Sequence, residues 1–164
     1  MYSMPQNPAV ILVIDDDALT LTGVAATLDM AGYECHCARD VEAATKAART
    51  LSLDLIICDV MIGATSGLEL CSDLRKENKN NDCPVLFVSS NQAPDIIRRT
   101  HDAGGAYYLR KPFDPEVLTE LVAKALWMPH LVKSRIDHVE PARTIRPAIG
   151  RNVRSDKRTP GLSS

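Results

Sequence analysis

Short apolar segments recur along the first two thirds of the chain, and mixed segments with helical spacing separate them. The apolar segments are Val10–Ile14, Tyr33–Ala38, Leu55–Cys58, Val85–Val88 and Ala106–Leu109. The first, third and fourth lack polar alternation, which is typical of strands buried on both faces of a parallel sheet. The mixed segments predict helices near 18–31, 40–50, 67–77, 92–103 and 114–127. This alternation predicts an α/β fold with helices on both faces of a parallel sheet.

The character of the sequence changes after Trp127. Residues 1–128 contain 11 Lys and Arg against 18 Asp and Glu, whereas residues 129–164 contain 8 against 3. The second segment also has four prolines and no sustained apolar period, which is typical of a flexible segment. We therefore expect an N-terminal extension over 1–8, one domain over 9–128 and a flexible, basic, Pro-containing tail over 129–164.

The longest apolar run, Ala9–Ile14, is far shorter than a membrane span, and the N-terminus lacks the pattern of a secretion signal. The five cysteines are an odd number, and several lie within apolar runs, which indicates reduced core residues instead of a disulfide framework. These features predict a cytoplasmic protein with no membrane partner.

Polar side chains follow the predicted strands at their carboxyl ends. Asp15, Asp16 and Asp17 come after the first strand, and Asp59 ends the third. Ser89 follows the fourth strand and Lys111 follows the fifth. In an open parallel sheet, ligands bind outside these ends, at the point where the strand order reverses.

A strand order of 2-1-3-4-5 would bring Asp15, Asp16 and Asp59 together at that point. Three neighbouring carboxylates repel each other and, unless some are protonated, require a cation, and oxygen ligands of this kind suit Mg²⁺. A carboxylate can also act as a nucleophile toward a phosphoryl group. In that chemistry, Lys111 would pair with the phosphoryl oxygens and Ser89 would donate a hydrogen bond.

At this point the sequence resembles the receiver domain of bacterial two-component response regulators, of the single-domain type. The resemblance covers residues 9–127 and rests on an ordered set of segments: Ile11–Asp17, Asp54–Met61 with Gly67, Pro84–Ser90, and Ala103–Phe113. It implies a flavodoxin-like (βα)5 fold, a doubly wound parallel sheet in the order 2-1-3-4-5. It also implies that Asp59 is the phosphoacceptor and that the protein is not otherwise an enzyme.

The resemblance assigns roles to further residues. The Asp16 and Asp59 side chains and the Met61 backbone carbonyl would coordinate Mg²⁺, with Asp15 acting indirectly. Ser89 and Lys111 would contact the phosphoryl group, and Tyr108 would move inward when Ser89 moves. The Lys111–Pro112 bond is a candidate cis peptide, because X-Pro bonds alone adopt that form at low cost.

The partners implied are a histidine kinase or phosphotransfer protein as phosphodonor and a downstream protein target. The resemblance also implies a surface for a homodimer, formed by the fourth helix, the fifth strand and the fifth helix. We see no helix-turn-helix pattern after residue 128 and therefore do not expect nucleic acid as a partner.

Two positions depart from the usual pattern of the family, and the residue at a third bears on the lifetime of the phosphoryl group. Gly63 stands where proline is usual, which predicts a more mobile loop. Ser89 replaces the commoner threonine, which predicts weaker switching. Met61, two residues after Asp59, cannot orient water by hydrogen bonding, which predicts slow loss of the phosphoryl group, although Asn91 could partly compensate by holding water.

Two other functions compete with this interpretation. In a phosphatase of the haloacid dehalogenase type, Asp15 would be the nucleophile and Asp17 the general acid. However, Asp17 is better explained as a helix cap, and Leu19 stands where that family prefers Thr or Val. The second alternative is an interaction module that keeps the fold without phosphorylation, which would not need the whole set of site residues.

Overall fold

The structure is a computed structural model, and it describes residues 7–76 and 82–139. Side-chain positions are described as far as Trp127. The chain divides into two units, Met1–Pro129 and His130–Ser164. The sheet, its two apolar cores and the site described below belong to the first unit.

A five-stranded parallel sheet forms the centre of this unit. Its strands are β1 (Val10–Ile14), β2 (Glu34–Ala38), β3 (Leu55–Asp59), β6 (Val85–Ser89) and β7 (Tyr107–Arg110). Their spatial order is β2-β1-β3-β6-β7, and each neighbouring pair is parallel. Once the two strands of a short hairpin are set aside, this is the predicted order 2-1-3-4-5. The doubly wound flavodoxin-like fold is therefore confirmed.

Helices connect the strands and cover both faces of the sheet. They are α1 (Ala18–Met30), α2 (Val41–Thr50), α3 (Gly67–Leu74), α4 (Ile96–Asp102) and α5 (Pro115–Val139). Side chains of Asp17, Asp40 and Ser66 cap the first three by accepting hydrogen bonds from their free amides. Such caps satisfy donors that have no partner within the helix, which fixes where each helix begins.

Helix α4 begins later than the sequence predicted, at Ile96 instead of near residue 92. The Asn91 side chain accepts a hydrogen bond from Ala93 N at 2.7 Å, so the chain forms a turn at this point. Ala93 also precedes Pro94, and the residue before a proline is disfavoured in helical conformation. Both effects move the start of α4 to a later residue.

Helix α5 continues to Val139, past the end predicted near residue 127. The predicted start of the tail at residue 129 therefore falls inside this helix, and residues 140–164 lie outside the described residues. Pro129 removes one main-chain donor, but Leu131, Lys133 and Arg135 favour helix, so one proline need not end it.

Within the described residues, no helix combines the length and the apolar character needed to cross a membrane.

Alternate residues along each central strand contribute to two separate apolar cores. On one face, Leu12, Ile56 and Phe87 pack with α2 and α3 side chains such as Ala44 and Leu70. On the other face, Ile11, Ile57 and Leu86 pack with α1 and α5 side chains such as Leu28 and Leu118. Burial of these strands on both faces explains their unbroken apolar sequence.

The five cysteines are all free thiols. Cys58, Cys71 and Cys83 are buried as predicted, Cys35 is half-buried and Cys37 is exposed on the edge strand β2. Burial is the main cause that raises the pKa of Cys83 to about 12. This thiol therefore stays protonated at neutral pH and acts as an apolar core group.

A short hairpin that the sequence did not predict follows β3. Its strands are β4 (Met61–Ile62) and β5 (Thr65–Ser66), which pair in antiparallel register around Gly63 and Ala64. Gly63 has a φ of 61°, a left-handed conformation that proline cannot adopt and other residues adopt at a cost. The greater mobility expected of this loop stays a prediction.

Candidate functional site

Three carboxylates meet where β1 and β3 end. Asp15 and Asp16 follow β1, and Asp59 is the last residue of β3. One oxygen from each lies within 4.8 Å of the others. Asp15 is buried, Asp59 is half-buried and Asp16 is exposed, so the cluster opens to solvent on one side. The convergence expected from the strand order is therefore present.

Lys111 lies between two of these carboxylates. Its Nζ donates to Asp15 Oδ2 at 2.6 Å and to Asp59 Oδ2 at 2.7 Å. The loop after β7 delivers this side chain, and the Lys111–Pro112 bond in that loop is cis. The Lys111 main chain is also tied to β6, because its N–H donates to Ser89 O at 2.9 Å. Lys111 thus offsets part of the negative charge in the crevice.

Burial and hydrogen bonding have opposite effects on the pKa values of Asp15 and Lys111. Burial raises the pKa of the Asp15 carboxyl, and the hydrogen bonds from Lys111 and from the Asp17 amide offset this only in part. Burial alone would lower the pKa of Lys111, but the hydrogen bonds to Asp15 and Asp59 outweigh it, and the net direction is upward. Lys111 is therefore a cation at neutral pH.

Two main-chain amides of the hairpin hold the outer side of the site. Met61 N donates to Asp59 Oδ1 at 3.1 Å, and Gly63 N donates to Asp16 Oδ2 at 2.9 Å. Met61 is 45% exposed and lies two residues after Asp59. The sequence analysis assigned roles to the Met61 carbonyl and to its side chain. It did not predict the hydrogen bonds from the Met61 and Gly63 amides.

Gly67 begins α3 directly behind Asp59. Its N–H donates to Val60 O at 2.7 Å. A Cβ at this position would lie 1.9 Å from the Asp59 carbonyl oxygen and 3.1 Å from Cys58 Sγ. The structure therefore gives a strict reason for glycine at this position, which is its contact with the backbone of Asp59.

Ser89, Asn91 and Tyr108 form a connected group at the end of β6. Ser89 is buried, and its Oγ accepts a hydrogen bond from Asn91 N at 2.9 Å. The half-buried Tyr108 donates its hydroxyl to Asn91 O at 3.3 Å. The two residues predicted to move together are therefore linked through the main chain of Asn91. The Asn91 side-chain oxygen already bonds Ala93 N, which leaves its amide nitrogen as the group that would hold water.

Asp17 stands apart from this constellation and caps α1. Its side chain accepts from Thr20 Oγ1 at 2.7 Å and from Leu19 N at 3.3 Å. The hydrogen bond from Thr20 is the main cause that lowers its pKa. A general acid needs a carboxyl that holds its proton near neutral pH, so this environment disfavours the phosphatase interpretation.

The donor set fits a hard divalent cation. The three carboxylates supply only oxygen atoms, which Mg²⁺ prefers, and the exposed side next to Asp16 leaves room for water ligands. Lys111 supplies one positive charge against three negative ones. The remaining negative charge favours binding of a cation at this position.

The sequence and the fold match known proteins. The family model described as the response regulator receiver domain matches residues 11–123. The phosphate regulon transcriptional regulatory protein PhoB of Pseudomonas aeruginosa is 34% identical over 114 residues, which cover 70% of this chain and 48% of PhoB. The DNA-binding dual master transcriptional regulator RpaA of Synechocystis is 34% identical over 131 residues, or 79% of this chain and 54% of RpaA. The chain thus spans about half the length of these curated relatives.

Two solved structures match over nearly their whole length. The chemotaxis protein CheY4 of Vibrio cholerae aligns with a TM-score of 0.68 and 29% identity, covering 72% of this chain and 98% of CheY4. A putative response regulator from Chloroflexus aurantiacus gives the same TM-score and identity, and the alignment covers 73% of this chain and 98% of that protein.

Proposed function

Because the chain belongs to the response regulator receiver domain family, we propose that it accepts a phosphoryl group on Asp59 and signals through the resulting change in its surface. The observation that carries this proposal is the position of Asp59, within 4.8 Å of two other carboxylates and 2.7 Å from the Lys111 ammonium. The phosphodonor would be a phosphohistidine on a histidine kinase or a phosphotransfer protein.

In the proposed reaction, a carboxylate oxygen of Asp59 forms a bond to phosphorus as the bond from phosphorus to the donor's histidine nitrogen breaks. The product is an acyl phosphate, and the freed imidazole takes up a proton. Lys111 lies against Asp59 Oδ2 and can transfer its hydrogen bonds to the new phosphoryl oxygens. Apart from this reaction and its reversal by hydrolysis, we propose no catalytic activity.

Asp16, Asp59 and the Met61 carbonyl would hold Mg²⁺, with Asp15 acting through its charge or through water. When bound, the ion neutralises charge on the phosphoryl oxygens. The residues of the chain keep the acceptor in place. Met61 N fixes one oxygen of Asp59 while Lys111 contacts the other.

Signalling would follow from movement of Ser89 toward the phosphoryl group. Its Oγ accepts the Asn91 amide, and Asn91 O accepts the Tyr108 hydroxyl, so a shift of Ser89 acts on Tyr108 through one residue. Tyr108 lies on β7, the edge strand of the sheet that takes the place of the fifth strand in the surface implied by the family resemblance. A change at this surface would alter binding of a protein target or of a second copy of the chain.

PhoB and RpaA are transcriptional regulators by name, and the matched region is about half of each. DNA binding by a whole protein of that kind would be a property of segments beyond the receiver unit. For the receiver unit, we propose a protein contact as the output.

Incubation of the full chain with acetyl phosphate and Mg²⁺ tests the proposed chemistry. We expect the intact mass to increase by one phosphoryl group and the label to map to Asp59, because this carboxylate is the one open to both the donor and Lys111. The Asp59→Asn variant should gain no label, since an amide cannot act as the nucleophile. Label on Asp15 with turnover of many equivalents would support a phosphatase, and no Mg²⁺-dependent label would support a plain interaction module.

The lifetime of the phosphoryl group should depend on Met61. We expect Met61→Asn to shorten this lifetime about fivefold, the effect of one water-orienting hydrogen bond worth about 1 kcal/mol. Met61→Leu keeps an apolar side chain at the same place and should leave the lifetime unchanged. The decay of the phosphorylated mass after removal of acetyl phosphate gives the rate. An unchanged rate in Met61→Asn would show that this side chain does not protect the acyl phosphate.

A further inference from the structure

The outer edge of the β4–β5 hairpin faces the acidic site with two main-chain donors. Met61 and Ile62 pair with Ser66 and Thr65 inside the hairpin. Successive groups of an extended chain point to opposite sides, so the N–H groups of Met61 and Gly63 point the same way. The Met61 N–H donates to Asp59 Oδ1, and the Gly63 N–H donates to Asp16 Oδ2. The hairpin therefore holds two of the three carboxylates by its backbone.

We infer that Gly63 is a positioning residue that orients Asp16 for cation binding, and this inference rests on the Mg²⁺ site of the proposed function. Asp16 is exposed, and an exposed aspartate is otherwise free to change rotamer. The 2.9 Å bond from Gly63 N fixes one orientation. In that orientation an Asp16 oxygen lies within 4.8 Å of the oxygens of Asp15 and Asp59.

The bond to Gly63 is compatible with a bound cation. An ionised carboxylate has about four acceptor positions on its two oxygens, and one N–H donor occupies a single one of them. Asp16 Oδ1 and the second lone pair of Oδ2 remain available to a metal ion. The Asp16 side chain is then already ordered in the folded chain. Binding of the cation does not have to order it, and the affinity is therefore higher.

The identity of residue 63 follows from this role. Its φ of 61° excludes proline, which also lacks the N–H that bonds Asp16. A Cβ at this position would meet no atom within 4 Å. Asparagine, which adopts left-handed φ more readily than most residues and keeps the N–H, should therefore be accommodated.

Titration of the full chain with Mg²⁺ tests the inference, with affinity measured by calorimetry and by amide chemical shifts. We expect Gly63→Pro to bind Mg²⁺ roughly three- to tenfold more weakly, since Asp16 must then lose its rotamer freedom on binding. Gly63→Asn is the matched control and should stay within about twofold of the wild type.

A backbone ester at residue 63, made by semisynthesis with glycolic acid in place of glycine, separates the hydrogen bond from the shape of the turn. It removes the N–H and keeps the backbone free to adopt the same φ. Weaker Mg²⁺ binding by this ester and by Gly63→Pro supports the inference. Equal or tighter binding by the ester overturns it while the wild-type site stands. Absence of Mg²⁺ binding by the wild type overturns both the inference and the proposed cation site.

Discussion

Replacing Gly67 with alanine is expected to lower the free energy of unfolding by about 3 kcal/mol, because the added methyl group has no space. Its carbon would lie 1.9 Å from the Asp59 carbonyl oxygen, which belongs to the end of β3 and not to a flexible side chain. Relief requires α3 to move away from β3 or the end of β3 to shift. A shift of the end of β3 displaces Asp59 itself, and movement of α3 removes the close packing of Gly67 behind Asp59, so labelling by acetyl phosphate should fall as well.

Gly23→Ala is the matched control for this experiment. Gly23 lies in α1, and a Cβ there would meet no atom within 4 Å. Alanine should stabilise this helix by about 0.5 to 1 kcal/mol, because it loses less backbone entropy on folding than glycine. Urea unfolding followed by circular dichroism measures both variants. Equal stability of Gly67→Ala and the wild type would contradict the close contact between α3 and Asp59.

Removal of the positive charge of Lys111 is expected to have the second large effect on stability. In Lys111→Met, which keeps most of the apolar stem, we expect the metal-free protein to lose about 2 to 4 kcal/mol of stability at neutral pH. Asp15 is only 1% exposed and would lack its cationic partner, whereas Lys111 itself is 17% exposed, which reduces the cost. Saturating Mg²⁺ should restore part of the loss, because a second cation then occupies the crevice.

The pH dependence of this loss has a defined sign. Burial already raises the pKa of Asp15 above its ordinary value of 3.8, and removal of Lys111 should raise it further. A carboxyl with a higher pKa in the folded chain binds more protons when folded, so stability falls as pH rises from the unfolded value through the folded pKa. The deficit of Lys111→Met should therefore be small in acid and grow toward neutral pH.

Two further variants isolate the cause. Lys124→Met removes a lysine that is 57% exposed and lies 3.8 Å from Glu120, and it should cost less than about 0.5 kcal/mol. Asp15→Asn combined with Lys111→Met removes both charges and should recover much of the lost stability. Urea unfolding at several pH values in chelator gives the comparison. A deficit that is independent of pH would mean that Lys111 acts through packing and not through charge.

The sequence alone determined the alternation of the five sheet strands with the five helices and the types of residue at the site. Strand and helix patterns are local, because burial on both faces gives unbroken apolar runs and helix packing gives apolar residues three or four apart. The site residues could be found because each ends a strand or follows one, and parallel strands end at the same edge of the sheet. They are Asp15, Asp16, Asp59, Ser89 and Lys111. Asp17 could be identified as a cap because capping depends on nearby residues.

The tertiary structure decided how these groups contact one another. Lys111 bonds Asp15 and Asp59 across strands far apart in sequence, and such distances depend on the register of the whole sheet. The hairpin amides that hold Asp59 and Asp16 have no sequence signal, since every residue except proline carries an N–H. The need for glycine at position 67 likewise arises only when α3 packs against the backbone of Asp59. Residue types and local periodicity are thus encoded in the sequence, whereas main-chain contacts between distant segments exist only after folding.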